Sequence, residues 1–244
     1  MAISRSKGNM YDFVSHTHTH LRGKCSHGCK YCYVQAMETR YGGGHYAGDL
    51  RLSEKEFQCS YDTPAIRREA SESGFDHPIF FIEHCNDLFA KDVPTEWIEK
   101  VFAQCRKFTE VEFVFQSKNA QRLLEFEFTM PLKTIIGTTV ESDIDHDIYG
   151  VSVQPVLSRL DSIGNIVGTS KTFVTIEPIL HMRDPSAFAL AIADANPSFV
   201  NIGADSKGSG LPEPSKQQVL ELIDALKANG VTIRKKVNLE RLLK

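Results

Sequence analysis

The chain has 244 residues, 41% of them hydrophobic, and a formal net charge of -3. It is long enough to bury one large core, and no apolar run reaches the ~18 residues of a membrane span. The charge makes no whole-chain case for a polyanionic partner, although a local basic groove is compatible with it.

The first predicted strand, residues 12–17, runs into an alternation of His16, Thr17, His18, Thr19 and His20. At period two the three histidines share one face. Such a face can ligate metal, but the neighbouring sequence offers no supporting carboxylate. The expectation is that these histidines line a barrel mouth, in reach of an anionic substrate.

Next comes Cys25-Ser26-His27-Gly28-Cys29-Lys30-Tyr31-Cys32, a C-x3-C-x2-C spacing with Tyr33 beyond it. Three thiolates this close can hold one face of a metal cluster and leave a fourth position without a protein ligand from the loop. Structural zinc usually takes two ligand pairs. Here Cys59, Cys85 and Cys105 are isolated, and His27 would have to fold back between two ligands. A disulfide scaffold does not suit six cysteines in this length without a leader pattern, so a reducing cytoplasm is the expected compartment.

Residues 41–61 interrupt the order with Gly42, Gly43 and Gly44 in succession. Consecutive glycines rarely sit in regular structure. The segment reads either as a flexible surface loop or as a lid beside the cysteine loop.

Further strands are predicted at 79–83, 111–116, 134–139, 172–177, 199–203 and 231–235, which are apolar and rich in β-branched or aromatic residues. Helical patterns fall at 95–108, 119–126, 154–163, 185–193 and 214–229. Pro94 and Pro214 are placed at helix starts, and Gly230 just past a helix end. Strand–helix alternation implies a parallel sheet, and six βα units are too few for an eight-fold barrel. No repeat or linker divides the chain.

Polar residues cluster after the predicted strands. Asn86 and Asp87 offer acceptors for a cation or cap a turn. Gln116, Ser117 and Lys118 end the third strand, and Thr138, Thr139 and Glu141 the fourth. Glu177, Asn201, Asp205 and Lys207 follow later strands, where barrels bind substrate. Gly203, Gly208 and Gly210 allow close backbone approach or only make a turn. Cys85 is either a packed small hydrophobe or a working thiol.

The cysteine spacing, with Tyr31 and Tyr33 flanking Cys32, resembles the radical S-adenosylmethionine (SAM) superfamily. Residues 25–35, 80–88 (F-F-I-E-H-C-N-D-L), 113–124, 134–142 and 172–180 resemble its spore photoproduct lyase-like branch and related bacterial and phage radical SAM proteins. The resemblance spans about residues 12–205. It implies an α/β fold, a partial (β/α)6 TIM-type barrel with parallel strands. It implies one radical SAM domain over 1–244, with a core at 12–205 and a helix–strand–helix extension at 206–244.

The same resemblance implies a [4Fe-4S] cluster on Cys25, Cys29 and Cys32, whose fourth iron chelates the amino and carboxylate groups of SAM. The reduced cluster of that family cleaves SAM to a 5′-deoxyadenosyl radical, which abstracts a hydrogen atom. SAM contacts are then expected from Asn86 and Asp87 for the ammonium, and from Gln116, Ser117 or Lys118 for the carboxylate. Thr139 and Glu141 would meet the ribose or carboxylate, with Tyr31 and Tyr33 beside the cofactor and Tyr33 on the adenine. Cys85 matches a hydrogen-atom donor of the lyase branch. The implied activity is lyase-like or other radical chemistry, driven by a one-electron reductant such as flavodoxin or ferredoxin, with a nucleotide, nucleic-acid base or base lesion among the candidate substrates. The other function class is a non-catalytic metal-binding or interaction protein that keeps the cluster fold.

Overall fold

In the computed structural model, which describes residues 3–150, 153–168 and 170–244, a mostly parallel eight-stranded sheet carries helices on its outer side. In chain order the elements are β1 (Ser4–Arg5), β2 (His16–His18), β3 (Leu21–Arg22), α1 (Tyr33–Tyr41), β4 (Arg51–Leu52), α2 (Pro64–Glu72), β5 (Ile79–Ile82), α3 (Thr95–Cys105), β6 (Glu112–Ser117), α4 (Ala120–Glu125), β7 (Thr134–Thr139), α5 (Val156–Gly164), β8 (Lys171–Ile176), α6 (Pro185–Asp194), β9 (Phe199–Ile202), α7 (Lys216–Ala228), β10 (Ile233–Lys235) and α8 (Glu240–Leu243). The sheet order is β1-β2-β5-β6-β7-β8-β9-β10. Within this sheet every pair from β2 to β10 is parallel and β1 is antiparallel to β2, while β3 and β4 form a separate antiparallel pair. This is the partial TIM-type barrel expected from the sequence. The segment after residue 206 adds β10 to the same sheet.

Side-chain alternation divides the core in two. Phe80, Ile82, Phe113 and Phe115 point outward and pack against the helices. Phe81, Val114, Ile135, Phe173 and Phe199 point inward. The second half of the outer layer joins β8 and β9 to α6 and α7. Thr63 caps α2 by accepting from Ile66 N–H, Asp184 caps α6, and Ser215 forms a capping box with Gln218 on α7. Pro94 and Pro214 were expected at helix starts, with the second helix beginning at Pro214 itself. Pro94 is the N-cap of α3 and Pro214 precedes Ser215.

The first predicted strand is corrected. β2 is only His16–His18, and residues 11–14 enter the barrel instead. Tyr11 stacks on Phe13, and both meet the Phe173 ring edge-on. These large aromatics fill the interior of the partial barrel, so interior burial outweighs strand pairing. Gly137 leaves the space that the Phe173 ring fills. Two helices, α1 and α2, were not predicted. Among the described residues no helix is long and apolar enough to cross a membrane.

Candidate active site

The cysteine loop lies between β3 and α1, at the C-terminal ends of the parallel strands, and opens on a cavity of about 590 Å3. Cys25, Cys29 and Cys32 all line this cavity. Two backbone bonds clamp the loop to residues 148–150, Lys30 N–H to Ile148 C=O and Gly150 N–H to His27 C=O, each 2.8 Å. Gly28 has φ 57°, and a Cβ there would stand 3.1 Å from Gly150 Cα. Glycine at the centre of the loop is therefore set by conformation and close approach.

His27 is not turned toward the thiols. Its Nε2–H donates to Asp87 at 2.8 Å. Asp87 also accepts from Ser117 Oγ at 2.8 Å, Lys118 N–H at 2.9 Å and Phe89 N–H at 2.9 Å. Burial alone would raise this carboxyl, but His27 and the other donors outweigh it and hold it below the usual range. Asp87 thus joins the cysteine loop, the end of β5 and the end of β6.

A second buried cluster braces the same loop. Tyr31 Oη donates to Glu141 at 2.5 Å, and Glu141 pairs with Arg159 at 3.2 Å. Glu141 is buried and does not line the cavity. Lys118 does line it, with Nζ 5.5 Å from the Tyr31 ring centroid. Among the described residues no carboxylate comes within ion-pair distance of Lys118. Burial would lower its pKa, but Cys29, Glu141 and Asp87 outweigh this and raise it, so the ammonium stays charged.

Gln116 and Thr139 face the cavity and bond to each other, Nε2 to Oγ1, at 2.6 Å. Tyr11 Oη donates to Gln116 at 2.8 Å. Asn86 is tied to Gly23 C=O at 3.2 Å. Glu177 is held by Asn9, Asn238 and Lys236 at 2.8, 3.0 and 2.7 Å. Asp205 accepts from Lys207 N–H and Ser209 N–H, so the glycines at 208 and 210 make a turn. Asn201 is buried beside Thr175, away from the cavity.

Cys85 follows β5 and faces the cavity rather than the helix layer. Its Sγ lies 3.1 Å from His84 Nε2 and 3.7 Å from Tyr33 Oη. Burial is the main cause that raises its pKa, so it remains a thiol near neutral pH. Tyr46, from the glycine-rich stretch, packs against it. The sequence reading missed Tyr46. In sequence it is marked only as an aromatic residue within the glycine-rich stretch, and its burial shows in the fold alone. Tyr11 and Lys236 were missed as well, since both reach the cavity from outside the predicted βα units.

The histidine expectation is corrected. β2 pairs with β5 so that His16 stands opposite Phe80 and Thr17 opposite Phe81. Thr17 therefore faces the cavity, and the histidines face the outer layer, fully buried.

The residues present suit an iron–sulfur cluster. Three thiols converge on one cavity that the Lys118 ammonium also lines. Cys32 is the N-cap of α1 and makes no side-chain capping bond there. The helix start therefore offers its positive end to a thiolate. Burial, with Asp87 nearby, pushes Cys25 up to about 12, so metal loading would release protons.

A model of the family described as "Protein of unknown function (DUF5131)" matches residues 11–232. No curated protein matches the chain. Among solved structures, a spore photoproduct lyase variant is similar at TM-score 0.63 and 13% identity, over 96% of this chain and 80% of that one. The lyase complexed with dinucleoside spore photoproduct gives TM-score 0.63 and 13% identity, over 94% and 79%. Streptococcus suis SuiB bound to S-adenosylmethionine gives TM-score 0.51 and 8% identity, over 90% of this chain and 45% of that one. At these identities the likeness is one of fold.

Proposed function

We propose that this chain, which belongs to the DUF5131 family, is a radical SAM enzyme. The observation that carries this reading is the convergence of Cys25, Cys29 and Cys32 on one cavity that Lys118 and Cys85 also line. The fold shared with spore photoproduct lyase and SuiB supports it.

When bound, a [4Fe-4S] cluster would supply the electron that cleaves SAM and starts hydrogen abstraction. In this reading the three cysteines hold the cluster, and the start of α1 stabilises its negative charge. Lys118 binds the SAM carboxylate as a charge-assisted pair. Asn86, Gln116, Ser117 and Thr139 supply polar contacts along the strand ends, and Tyr33 packs on the adenine with Tyr31 beside it. Asp87 and Glu141 act through their protein partners, because their oxygens already serve the cysteine loop. One domain over 1–244, built on a core at 12–205, carries the whole site.

Cys85 donates a hydrogen atom to the substrate radical. Its S–H bond breaks, a C–H bond forms on the substrate, and the thiyl radical left on sulfur takes one electron from an external one-electron reductant such as flavodoxin or ferredoxin and one proton from solvent. The substrate class is a nucleotide, a nucleic-acid base or a base lesion, and the chemistry is lyase-like.

Anaerobic iron and sulfide analysis tests the assignment. The reconstituted protein should hold about four iron and four sulfide per chain, and a Cys25→Ala/Cys29→Ala/Cys32→Ala variant almost none. Equal iron in the two, or stoichiometric zinc on these cysteines, would overturn it.

A further inference from the structure

An imidazole lies against the sulfur of Cys85. His84 Nε2 is 3.1 Å from Cys85 Sγ, and His84 Nδ1 is 2.9 Å from Thr19 Oγ1. A reactive sulfur, a ring nitrogen within hydrogen-bond reach and a third group that orients the ring form a proton-transfer arrangement. Both residues line the cavity, but they differ in access. Cys85 is only 4% exposed, whereas His84 is only partly buried. A proton from solvent therefore meets the ring before it meets the sulfur.

The other polar neighbours of the sulfur cannot supply a proton. Tyr33 Oη is 3.7 Å from Sγ and gives its own proton to His84 C=O at 2.7 Å. The Tyr46 hydroxyl also hydrogen-bonds the sulfur, as does that of Thr19. Burial raises Tyr33 and Tyr46 above the usual tyrosine range, so neither is an acid near neutral pH. Arg22, which holds Tyr46 at 3.3 Å, is never deprotonated. Glu83 is occupied, accepting the backbone N–H groups of His20 and Leu21 and the His20 ring at 2.6, 3.1 and 2.8 Å. Burial, opposed by Glu83, lowers the pKa of His84, so its resting ring is neutral and free to take up a proton.

We infer that His84 is a catalytic residue that returns the proton to the Cys85 sulfur after each hydrogen-atom transfer. The inference rests on the donor role proposed for Cys85. Once the S–H hydrogen atom has moved to the substrate carbon, the thiyl radical takes one electron from the external one-electron reductant and becomes a thiolate. His84 takes a proton from solvent on Nε2, passes it to the sulfur and returns to neutral imidazole. Thiyl radical, electron and proton together make the thiol, and nothing else is consumed. In the cationic ring Nδ1–H donates to Thr19 Oγ1 and Nε2–H to the thiolate, so both ring protons have acceptors. Rotation about the Cβ–Sγ bond then swings the thiol hydrogen from the ring to the cavity.

The same transfer run backward makes a thiolate, which is the form that an alkylating agent attacks. Cluster-loaded protein is treated with iodoacetamide near pH 7, and labelling of Cys85 is followed by peptide mass spectrometry. His84→Gln keeps a hydrogen-bond donor beside the sulfur but exchanges no proton. Its Cys85 should react at least about tenfold more slowly at unchanged iron content, since an opposite charge moves a neighbouring pKa by about 1–3 units. Imidazole in the buffer should restore part of the rate to His84→Ala and leave the wild type unchanged. Equal rates in the wild type and His84→Gln, or a His84→Ala protein that does not respond to imidazole, would overturn the role of His84 even where SAM is cleaved. A reduced protein whose Cys85 responds to His84 but which forms no 5′-deoxyadenosine would instead remove the radical reading on which the cycle rests.

Discussion

The carboxylate of Asp87 accepts the ring N–H of His27 at 2.8 Å, which fastens the middle of the cysteine loop to the end of β5. The same carboxylate accepts from Ser117 and Lys118 at the end of β6. The geometry of the loop therefore depends on one buried anion supplied from about sixty residues away in sequence, a relationship no local motif contains.

Asp87→Asn tests that dependence. The amide keeps the shape but removes the charge and turns one acceptor into a donor facing other donors. Breaking one member of a buried charged cluster costs about 3–5 kcal/mol. Urea unfolding should show a loss of that order, and reconstitution should incorporate less iron. A variant within about 0.5 kcal/mol of the wild type, the range of an unremarkable surface change, would contradict the anchoring role.

Arg159 should behave as the counterpart of Glu141. Arg159→Met leaves the Glu141 carboxylate buried with Tyr31 but without its cation. The expected loss is again about 3–5 kcal/mol, and adding Glu141→Gln should recover part of it. A double-mutant cycle reads the coupling directly. Additive losses would show that the pair does not act as a unit.

Cys85→Ala should leave iron content and SAM affinity unchanged, because a thiol-to-methyl change removes little volume at a site that ligates nothing. Product distribution should shift or turnover slow, since the substrate radical loses its hydrogen donor. Chromatographic product analysis under anaerobic turnover gives the readout. An unchanged product profile and rate would place Cys85 among packing residues.

Stability should fall on mild acidification. His18 is held near 4 in the folded chain against its usual 6.5, by burial first and then by His20. Between those values the unfolded chain binds a proton that the folded chain does not. The contribution is therefore fully present above about 6.5 and falls as pH drops toward 4, by up to about 1.4 kcal/mol per pH unit. Urea midpoints near pH 7 and near pH 5 should differ more in the wild type than in His18→Gln. Equal differences in the two proteins would refute the assignment.

The parts of this molecule legible in its sequence are those with local causes. The strand predicted at 134–139 is β7 (Thr134–Thr139) because a β-branched run meets a loop at each end. The cysteine loop announces itself by spacing alone. Features set by register or by distant partners were not legible. The outward turn of His16 and His18 follows from the pairing of His16 with Phe80. The carboxylates that support His18 and His20 arrive from Glu56 and Glu83. Residues 12–14 read as the start of a strand by composition, yet the unfilled interior of a partial barrel recruits Phe13, beside Tyr11, instead. Asp87 and Glu141 were read as cofactor contacts because they follow strands. Their hydrogen bonds to His27 and Tyr31 depend on the folded loop.

The central claim is that the cysteine loop supports reductive cleavage of SAM. The most direct measurement is 5′-deoxyadenosine formation by the reconstituted, chemically reduced protein mixed anaerobically with SAM, beside the Cys25→Ala/Cys29→Ala/Cys32→Ala variant. The account predicts 5′-deoxyadenosine from the wild type and none above background from the variant. A cluster-loaded, reduced wild-type protein that leaves SAM intact would contradict it.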